Sequence, residues 1–241
     1  MKICADTHTH TIACQHAYST LLENVAWAKK IGLRAIANTE HAPSISGAPF
    51  IWYITNQKII PEVIDGVIVL KGVEANVLDW EGHLDVSDER LAKLDWVIAS
   101  CHVDCLTPGT VEDHTRAYLK LAENPHVDVI GHCGDERFRF DYERVIPVFG
   151  REGKIVEINN HSFAIRPGSA ENCREIALLC KKHGVRVVVN TDAHFAMEIG
   201  QVPQALAMLE SIDFPEELVV NADFDRFLAL AREKSGRRFI D

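Results

Sequence analysis

The sequence lacks a long apolar run, and this absence bears on where the protein resides. No uninterrupted apolar stretch reaches the 18 or so residues that a membrane span requires. We also expect no secretion signal, since the chain passes from Lys2 directly into a short strand-like segment. We therefore expect a cytoplasmic protein without a membrane partner.

Basic residues are scarce relative to acidic ones. The chain has 25 Lys and Arg against 35 Asp and Glu, which gives a formal net charge of −10. Such a surface disfavours nonspecific binding to polyanions, so we expect no stable nucleic-acid partner. An anionic small substrate is still compatible with this charge, because bound cations would reverse its sign locally.

Two further features are absent, a disulfide framework and a nucleophile motif. The seven cysteines are odd in number and lack a compact spacing, so we expect them to stay reduced. The chain contains neither a Gly-x-Ser-x-Gly elbow nor a phosphate-binding glycine loop. Catalysis through a serine nucleophile of that kind is therefore not expected.

What the sequence does contain is a regular alternation of short apolar runs and helical patterns. The runs are rich in Val and Ile, as buried parallel strands are. They predict strands at 2–6, 34–38, 67–73, 95–99, 127–131, 154–158 and 186–190. Helices are predicted at 21–32, 110–124, 141–153, 169–184 (with Ser169 as N-cap) and 224–236. No linker interrupts the pattern, which indicates a single α/β domain over residues 1–241, either a barrel or a doubly wound sheet.

Histidines are concentrated at the ends of these predicted strands. Seven of the 12 follow a strand directly or lie in the loop that leaves it, together with one glutamate and one aspartate. These residues are His8, His10, His16, His41, Glu74, His102, His132, Asp192 and His194. In a parallel barrel all such positions share one rim, where active sites form. The placement favours the barrel and predicts a metal centre on that rim.

The spacing of these residues indicates how many ions the centre holds. His8 and His10 are two residues apart, so on an extended strand they face the same side. Asp192 and His194 repeat that spacing, and in a closed barrel the last strand adjoins the first. The full set of nitrogen and carboxylate ligands exceeds the needs of one ion and would supply two or three.

The same residues carry a resemblance to the PHP family, named for polymerases and histidinol phosphatases. The pattern of that family is matched by THTH with His16, TEH at 39–41, GVE at 72–74, His102, His132 and TDAH at 191–194. HAYST at 16–20, GVEAN at 72–76 and DFPEE at 213–217 are similar to its stand-alone bacterial phosphatases of the trinuclear-zinc type. The resemblance implies a distorted (β/α)7 barrel with three divalent ions, zinc or else manganese or iron.

The resemblance also implies how the ligands divide among three ion sites. The first site would use His8, His10, Glu74 and Asp192, the second Glu74 as a bridge with His102 and His132, and the third His16, His41 and His194. Two neighbouring residues depart from the usual pattern. Glu40 stands where an aspartate usually precedes the histidine, and Cys133 stands where a proline often follows it. Glu40 could orient a ligand from outside the coordination shell, and Cys133 is interpreted as a packed thiol.

The implied reaction is hydrolysis of a small phosphorylated substrate. A hydroxide on the metal ions would attack a phosphomonoester in line. Asp192 and His194 are the candidate catalytic residues, with Asp192 accepting or orienting the proton. Arg166 could bind a second anionic group with its planar guanidinium, and Asn160 and Ser19 are weaker candidates for hydrogen bonds to substrate.

The sequence leaves several alternatives open. Within the family they are a histidinol-phosphate phosphatase and a phosphodiesterase or nuclease. Outside it, an amidohydrolase also places H-x-H after its first strand, although it would not need His16, His41 and Glu74. A metal-binding protein without enzymatic activity is a further alternative. Close relatives by this resemblance form trimers, so a homotrimer is a candidate assembly.

Overall fold

The computed structural model describes residues 1–236, in which strands alternate with helices. The strands are β1 (Ala5–Thr9), β2 (Ala35–Asn38), β3 (Val63–Ile64), β4 (Val67–Asn76), β5 (Trp96–Ser100), β6 (Val129–Ile130), β7 (Ile155–Asn159) and β8 (Val187–Asn190). The α-helices are α1 (Leu21–Ile31), α2 (Ile51–Asn56), α3 (Asp88–Leu91), α4 (Val111–Glu123), α5 (Tyr142–Arg151), α6 (Ser162–Ile165), α7 (Ser169–His183), α8 (Pro203–Ser211) and α9 (Phe224–Ser235). Short 3-10 turns cover Gln57–Ile59, Glu136–Phe138, Ala196–Glu198 and Glu216–Leu218.

Seven parallel strands form a nearly closed barrel, which confirms the predicted fold class. Their order is β1-β2-β4-β5-β6-β7-β8, and each adjacent pair is parallel. All 10 residues of β4 are buried, as expected for a strand covered by helices outside and by side chains inside the barrel. The C-terminal ends of the seven strands therefore open onto one rim.

The barrel closes between its first and last strands through a seam rather than a full ladder. β8 and β1 meet at the bridge between Thr9 and Ala193, just beyond the end of β8. Below that bridge lies the buried side chain of Asn221. Its Oδ1 accepts from the Val189 N–H at 3.1 Å, and its Nδ2 donates to the carbonyls of Ala5 and Val189 at 2.8 and 2.6 Å. This amide takes the place of strand-to-strand hydrogen bonds at that level of the barrel.

The predicted strands all exist, but β1 lies further along the chain than predicted and β4 is longer, and both differences affect the rim. β1 spans residues 5–9 rather than 2–6, so His8 lies inside the strand and His10 just after it. β4 continues past residue 73 to Asn76, which places Glu74 within the strand. These polar residues continue the strands because the rim gives them a buried, polar environment.

The predicted helices also exist, with a correction at the start of α7. Gly168, and not Ser169, is the N-cap, because residue 168 has a left-handed backbone (φ 69°) and Ser169 is already helical. Glycine adopts this conformation without the steric cost of a side chain. The structure also contains β3, which the sequence pattern did not predict and which pairs antiparallel with the start of β4.

The largest apolar core lies outside the barrel, between strands β5 to β8 and helices α4, α5 and α7. Phe149 of α5 and Ile176 of α7 are fully buried there against Ile130 and Val156 of the barrel wall. Burying such side chains supplies most of the stabilisation of a domain and holds the rim on a rigid scaffold. Among the described residues, no helix is both long and apolar enough to cross a membrane.

Candidate metal centre

The candidate ligands converge on Glu74, whose carboxylate lies at the centre of the rim. Glu74 is fully buried near the end of β4, and a parallel bridge with His41 ties it to the end of β2. We call the surrounding side chains the Glu74 cluster, which comprises His8, His10, His41, Glu74, His102, His132, Asp192 and His194. The cluster draws on β1, β2, β4, β5, β6 and β8 or the residues that follow them.

One oxygen of Glu74 faces the residues of the first ion site. His8 Nε2 and His10 Nε2 lie 3.3 and 3.5 Å from Glu74 Oε2. The same two nitrogens lie 3.5 and 3.2 Å from Asp192 Oδ1. Ligand atoms on a tetrahedral zinc ion, each 2.0–2.1 Å from the metal, are about 3.3 Å apart. The four side chains therefore have the mutual spacing of a zinc coordination shell.

The second oxygen of Glu74 faces a different pair of imidazoles. His102 Nε2 and His132 Nε2 lie 3.3 and 2.8 Å from Glu74 Oε1. His41 approaches from the other side, with its Nδ1 2.7 Å from Oε2, and ligand atoms of His41, Glu74 and His102 lie within 4.8 Å of one another. Glu74 thus lies between two sets of nitrogen atoms, which is the position of a bridging carboxylate.

A stack of imidazoles occupies the outer side of the cluster. The ring of His16 lies 5.2 Å from that of His41 and 4.7 Å from that of His194. His10 is closer, with its ring centroid 4.3 Å from each of the same two rings. Ligand atoms of His10, His41 and His194 lie within 4.8 Å of one another. The structure therefore places the exposed His16 at the solvent edge of this group and adds His10 to it.

Many buried polar atoms of the cluster make no well-aligned hydrogen bond within residues 1–236, even where a nitrogen and an oxygen lie close, as His41 Nδ1 and Glu74 Oε2 do at 2.7 Å. They are His8 Nε2, both ring nitrogens of His10, His41 Nδ1, His102 Nε2, His194 Nε2, Glu74 Oε2 and Asp192 Oδ1. A buried polar atom left unpaired costs roughly 1–3 kcal/mol. Cations coordinated by these atoms would remove that cost, so the residues present fit a metal centre.

The electrostatics of the cluster favour positive charge at its centre. Burial raises the pKa of Glu74, but the imidazoles of His8 and His41 outweigh burial and hold that pKa well below its ordinary value. Burial also raises the pKa of Asp192, which His8 in turn brings well below its usual range. Burial lowers the pKa of His8, yet the Glu157 and Glu74 carboxylates drive it well above the ordinary value. Both carboxylates of the cluster are thus ionised at neutral pH.

Other imidazoles of the cluster are kept neutral, the form that binds a metal ion. Burial lowers the pKa of His10 well below its ordinary value, and the neighbouring His41 and His194 lower it further. Burial and the nearby Arg166 guanidinium lower the pKa of His132 to about 4. These nitrogens are therefore available as ligands at neutral pH.

Outer hydrogen bonds orient several of these rings. Glu157, in the middle of β7, places Oε1 2.7 Å from His8 Nδ1 and accepts from the His132 backbone N–H at 2.8 Å. Asn76 Oδ1 lies 2.8 Å from His102 Nδ1. Holding one ring nitrogen this way directs the other toward a metal and raises its basicity. The sequence prediction missed Glu157, although an acidic residue inside the apolar run KIVEI was an available signal.

The backbone is strained at two of the candidate ligands. His132 and Asp192 have left-handed φ angles of 26° and 59°. Non-glycine residues rarely adopt this region, and strain of this kind costs on the order of 1–3 kcal/mol per residue. The surrounding fold therefore enforces the positions of these two side chains.

Of the candidate substrate-binding residues, Arg166 is the one brought to the cluster. Its Nη2 donates to Asp192 Oδ2 at 3.0 Å, and its Nη1 donates to Ser162 Oγ at 2.9 Å. Asn160 Oδ1 instead accepts from a backbone N–H at the start of α8, at 3.0 Å. The buried Ser19 accepts through Oγ from the backbone N–H of residue 196, at 2.9 Å. The side chains of Asn160 and Ser19 thus support neighbouring loops.

The two residues that depart from the family pattern have different surroundings. Cys133 is buried in the apolar core beside helix α7, as expected for a packed thiol. Glu40 is buried at the end of β2, and its carboxylate accepts hydrogen bonds from the loop that follows β1. The three donors, the Thr11 N–H, the Thr11 hydroxyl and the Cys14 thiol, include no imidazole.

Comparison with known sequences finds relatives over nearly the whole chain. The PHP domain model matches residues 6–161. A probable phosphatase of Acetivibrio thermocellus is 45% identical over 237 residues, covering 98% of this chain and 98% of that protein. A probable phosphatase of Caldanaerobacter subterraneus is 46% identical over 239 residues, covering 98% of this chain and 94% of that protein.

Comparison with solved structures finds the same barrel in distant proteins. The histidinol phosphate phosphatase of Lactococcus lactis superposes with a TM-score of 0.62 at 16% identity, covering 88% of this chain and 94% of that one. A probable 2-pyrone-4,6-dicarboxylic acid hydrolase of Acinetobacter baumannii superposes with a TM-score of 0.53 at 13% identity, covering 97% and 99%. Since these two proteins act on unlike substrates, the likeness at this identity concerns the fold alone.

Proposed function

This chain belongs to the PHP domain family, and from that membership we propose that it is a metal-dependent phosphatase acting on phosphomonoesters. The observation that carries the proposal is the set of buried, unpaired ligand atoms in the Glu74 cluster. Imidazole and carboxylate ligands suit divalent ions such as zinc, manganese and iron. The whole chain, residues 1–241, would act as one catalytic domain.

The proposal assigns three ions to the rim. His8, His10, Glu74 and Asp192 would hold the first, Glu74 with His102 and His132 the second, and His16, His41 and His194 the third. The number of unpaired ligand atoms and the position of Glu74 between two sets of imidazoles support more than one ion. Support for zinc comes from the Lactococcus lactis histidinol phosphate phosphatase, which is solved with zinc, L-histidinol and phosphate.

Divalent ions held here would supply a water of lowered pKa as nucleophile and positive charge for the phosphate oxygens. Asp192 would accept or orient the proton of that water, since its carboxylate is ionised and fixed by Arg166 at 3.0 Å. His194 Nδ1 lies 2.9 Å from the Asp192 carbonyl and would donate to it, which leaves Nε2 to face the ions. Arg166 would lie beside the phosphate or a second anionic group of the substrate. The products would be an alcohol and phosphate.

The test is a turnover assay on metal-free protein reconstituted with zinc, manganese or iron(II) in turn. We expect hydrolysis of p-nitrophenyl phosphate with at least one metal, and loss of that activity when a chelator is added. The panel includes bis-p-nitrophenyl phosphate and L-histidinol phosphate. The exposed Glu123→Gln variant, which alters one surface ion pair with Lys120, serves as the unaffected control.

The same panel separates the alternatives. Activity on the diester alone would replace the proposal with a phosphodiesterase or nuclease. Activity confined to L-histidinol phosphate would narrow it to a histidinol-phosphate phosphatase. Fully metallated protein that hydrolyses no phosphoester would overturn it in favour of metal binding without catalysis.

A further inference from the structure

The buried carboxylate of Glu40 lies within 4.8 Å of a ring nitrogen of His10, yet its hydrogen bonds go to a loop and not to an imidazole. Its Oε1 accepts from the Thr11 N–H at 3.0 Å and from the Thr11 hydroxyl, and its Oε2 accepts from the Cys14 thiol at 3.0 Å. Glu40 and Cys14 are fully buried, and Thr11 is nearly so. All three donors belong to the loop between β1 and α1, so this carboxylate serves as an anchor for that loop.

The anchored loop, residues 10–20, carries His16. Its far end is fixed by the Tyr18 N–H, which donates to the His194 carbonyl at 2.8 Å, and its middle by the Gln15 N–H, which donates to the Gly47 carbonyl at 3.0 Å. Its near end is fixed by Glu40 through Thr11 and Cys14. Because His16 itself is exposed, its position depends on the anchors of the loop as well as on the stacking of its ring beside His41 and His194.

Glu40 is also fixed rigidly to the centre of the rim. The Glu74 N–H donates to the Glu40 carbonyl at 3.0 Å, and the N–H of residue 42 donates to the Glu74 carbonyl at 2.9 Å. His41 lies between these two backbone contacts. One residue therefore joins the strand end that presents His41 to the loop that presents His16.

We propose that Glu40 is a positioning residue that sets the affinity of the third ion site, formed by His16, His41 and His194, without binding the ion. This inference rests on the three-ion assignment of the proposed function. The length of the side chain is essential to it. An aspartate at position 40 would be shorter by one carbon–carbon bond, about 1.5 Å, and would withdraw the acceptor from Thr11 and Cys14.

The test compares Glu40→Asp with Glu40→Gln and two matched carboxylate variants. Asp85→Asn weakens a different outer carboxylate, since Asp85 binds Asn76, which in turn holds His102 of the second site. Glu89 lies on α3 and forms an exposed ion pair with Lys93, so Glu89→Gln serves as the neutral control. Each protein is loaded with zinc, dialysed against graded chelator and analysed for ions per chain by mass spectrometry.

We expect Glu40→Asp to release one ion per chain at a roughly 10- to 100-fold lower chelator strength than wild type, with the other ions retained. Glu40→Gln, which keeps the length and one acceptor oxygen, should give a smaller shift. In turnover assays the zinc concentration for half-maximal activity should rise by the same factor, while kcat at saturating zinc returns to within a few-fold of wild type. Glu89→Gln should match wild type throughout.

Two results would overturn the proposal: release of every ion together in Glu40→Asp, or release at the chelator strength of wild type. Far-ultraviolet circular dichroism of the metal-free variants reports folding, and Glu40→Gln decides the question if Glu40→Asp does not fold. The readout is separate from catalysis. Wild-type protein that binds and releases zinc in stages but hydrolyses no phosphoester would refute the phosphatase proposal and leave the role of Glu40 standing.

Discussion

At the scale of single residues, Glu74 is the side chain on which the rim depends most. Its Oε2 faces His8, His10 and His41, and its Oε1 faces His102 and His132, all within 3.5 Å. In the proposed centre, a fully buried carboxylate with imidazoles on both oxygens would compensate the positive charge of more than one ion. Removing its charge is therefore expected to affect two of the proposed ion sites together.

Glu74→Gln should lose bound metal and catalytic activity together. The amide keeps the shape of the side chain but removes the negative charge and one acceptor oxygen. Because outer-shell substitutions alone cost 10- to 100-fold, we expect activity to fall by more than about 100-fold. Mass spectrometry of the zinc-loaded variant should show fewer ions per chain, and an unchanged metal count would contradict the bridging role.

Glu157→Gln should weaken the first ion site without abolishing it. Glu157 Oε1 lies 2.7 Å from His8 Nδ1 and directs the other nitrogen of that ring toward Glu74 and Asp192. We expect the zinc affinity to fall by roughly 10- to 100-fold, measured by competition with a chromophoric chelator. Glu123→Gln is the surface control, and equal affinities in both variants would refute the orienting role of Glu157.

At the scale of the element, the two ends of strand β7 carry residues with different roles. β7 has Glu157 toward the rim, whereas the buried Lys154 lies just before its first residue. Lys154 Nζ donates to the carbonyls of Asn124 and Val127 at 2.5 and 2.8 Å, which ties the loop after α4 to the base of the barrel. The end of the barrel that carries the Glu74 cluster is thus separated from an end whose contacts serve stability.

Because of Lys154, the free energy of unfolding of the metal-free protein should rise with pH in the alkaline range. Burial, with a smaller contribution from the Lys234 ammonium, lowers the pKa of Lys154 from the ordinary 10.5 to about 8. Between these two pH values the unfolded chain binds a proton that the folded chain lacks, so the free energy of unfolding rises with pH. Relative to Lys154→Met, wild type should gain stability from pH 8 to pH 10 in urea titrations. A constant difference across that range would show that Lys154 titrates normally.

The sequence predicted elements well where a pattern is local, and less well where it is not. The apolar run at 67–73 marked β4, but its extension through Glu74 depends on the rim that surrounds it. β3 was not predicted from the sequence. Asp65-Gly66 between two apolar runs is nevertheless a typical hairpin signal, and both residues have a positive φ. The ligand positions followed from the strand order, whereas Glu157 and Asn221 act through contacts distant in sequence that leave no local pattern.

At the scale of the whole molecule, the seam between β8 and β1 brings together the residues proposed for the first ion site. His8 and His10 come from one side of the seam and Asp192 from the other. The Thr9–Ala193 bridge and the Asn221 side chain hold these two sides together. The proposed first ion site is therefore expected to form only when the barrel closes.

Asn221→Ala should destabilise the fold more than an ordinary polar truncation. It would leave the Val189 N–H and the carbonyls of Ala5 and Val189 without their partner in a fully buried position. At roughly 1–3 kcal/mol for each unsatisfied group, we expect a loss of about 3 kcal/mol or more in the free energy of unfolding. Chemical denaturation in the presence of a chelator measures it. Asn56→Ala, at an exposed position of α2, is the control, and an equal effect of both variants would refute the role of the seam.

The two sides of this seam are synthesised at different times during translation. His10 leaves the ribosome roughly 180 residues before Asp192, which at 5–20 residues per second is a delay of roughly 10 to 40 s. Throughout that interval the first histidines of the nascent chain have no carboxylate partner from β8, and Asn221 has yet to be made. In the proposed centre the first ion site therefore assembles only after β8 and Asp192 have been synthesised, so loading of that site is expected to follow the synthesis of both strands.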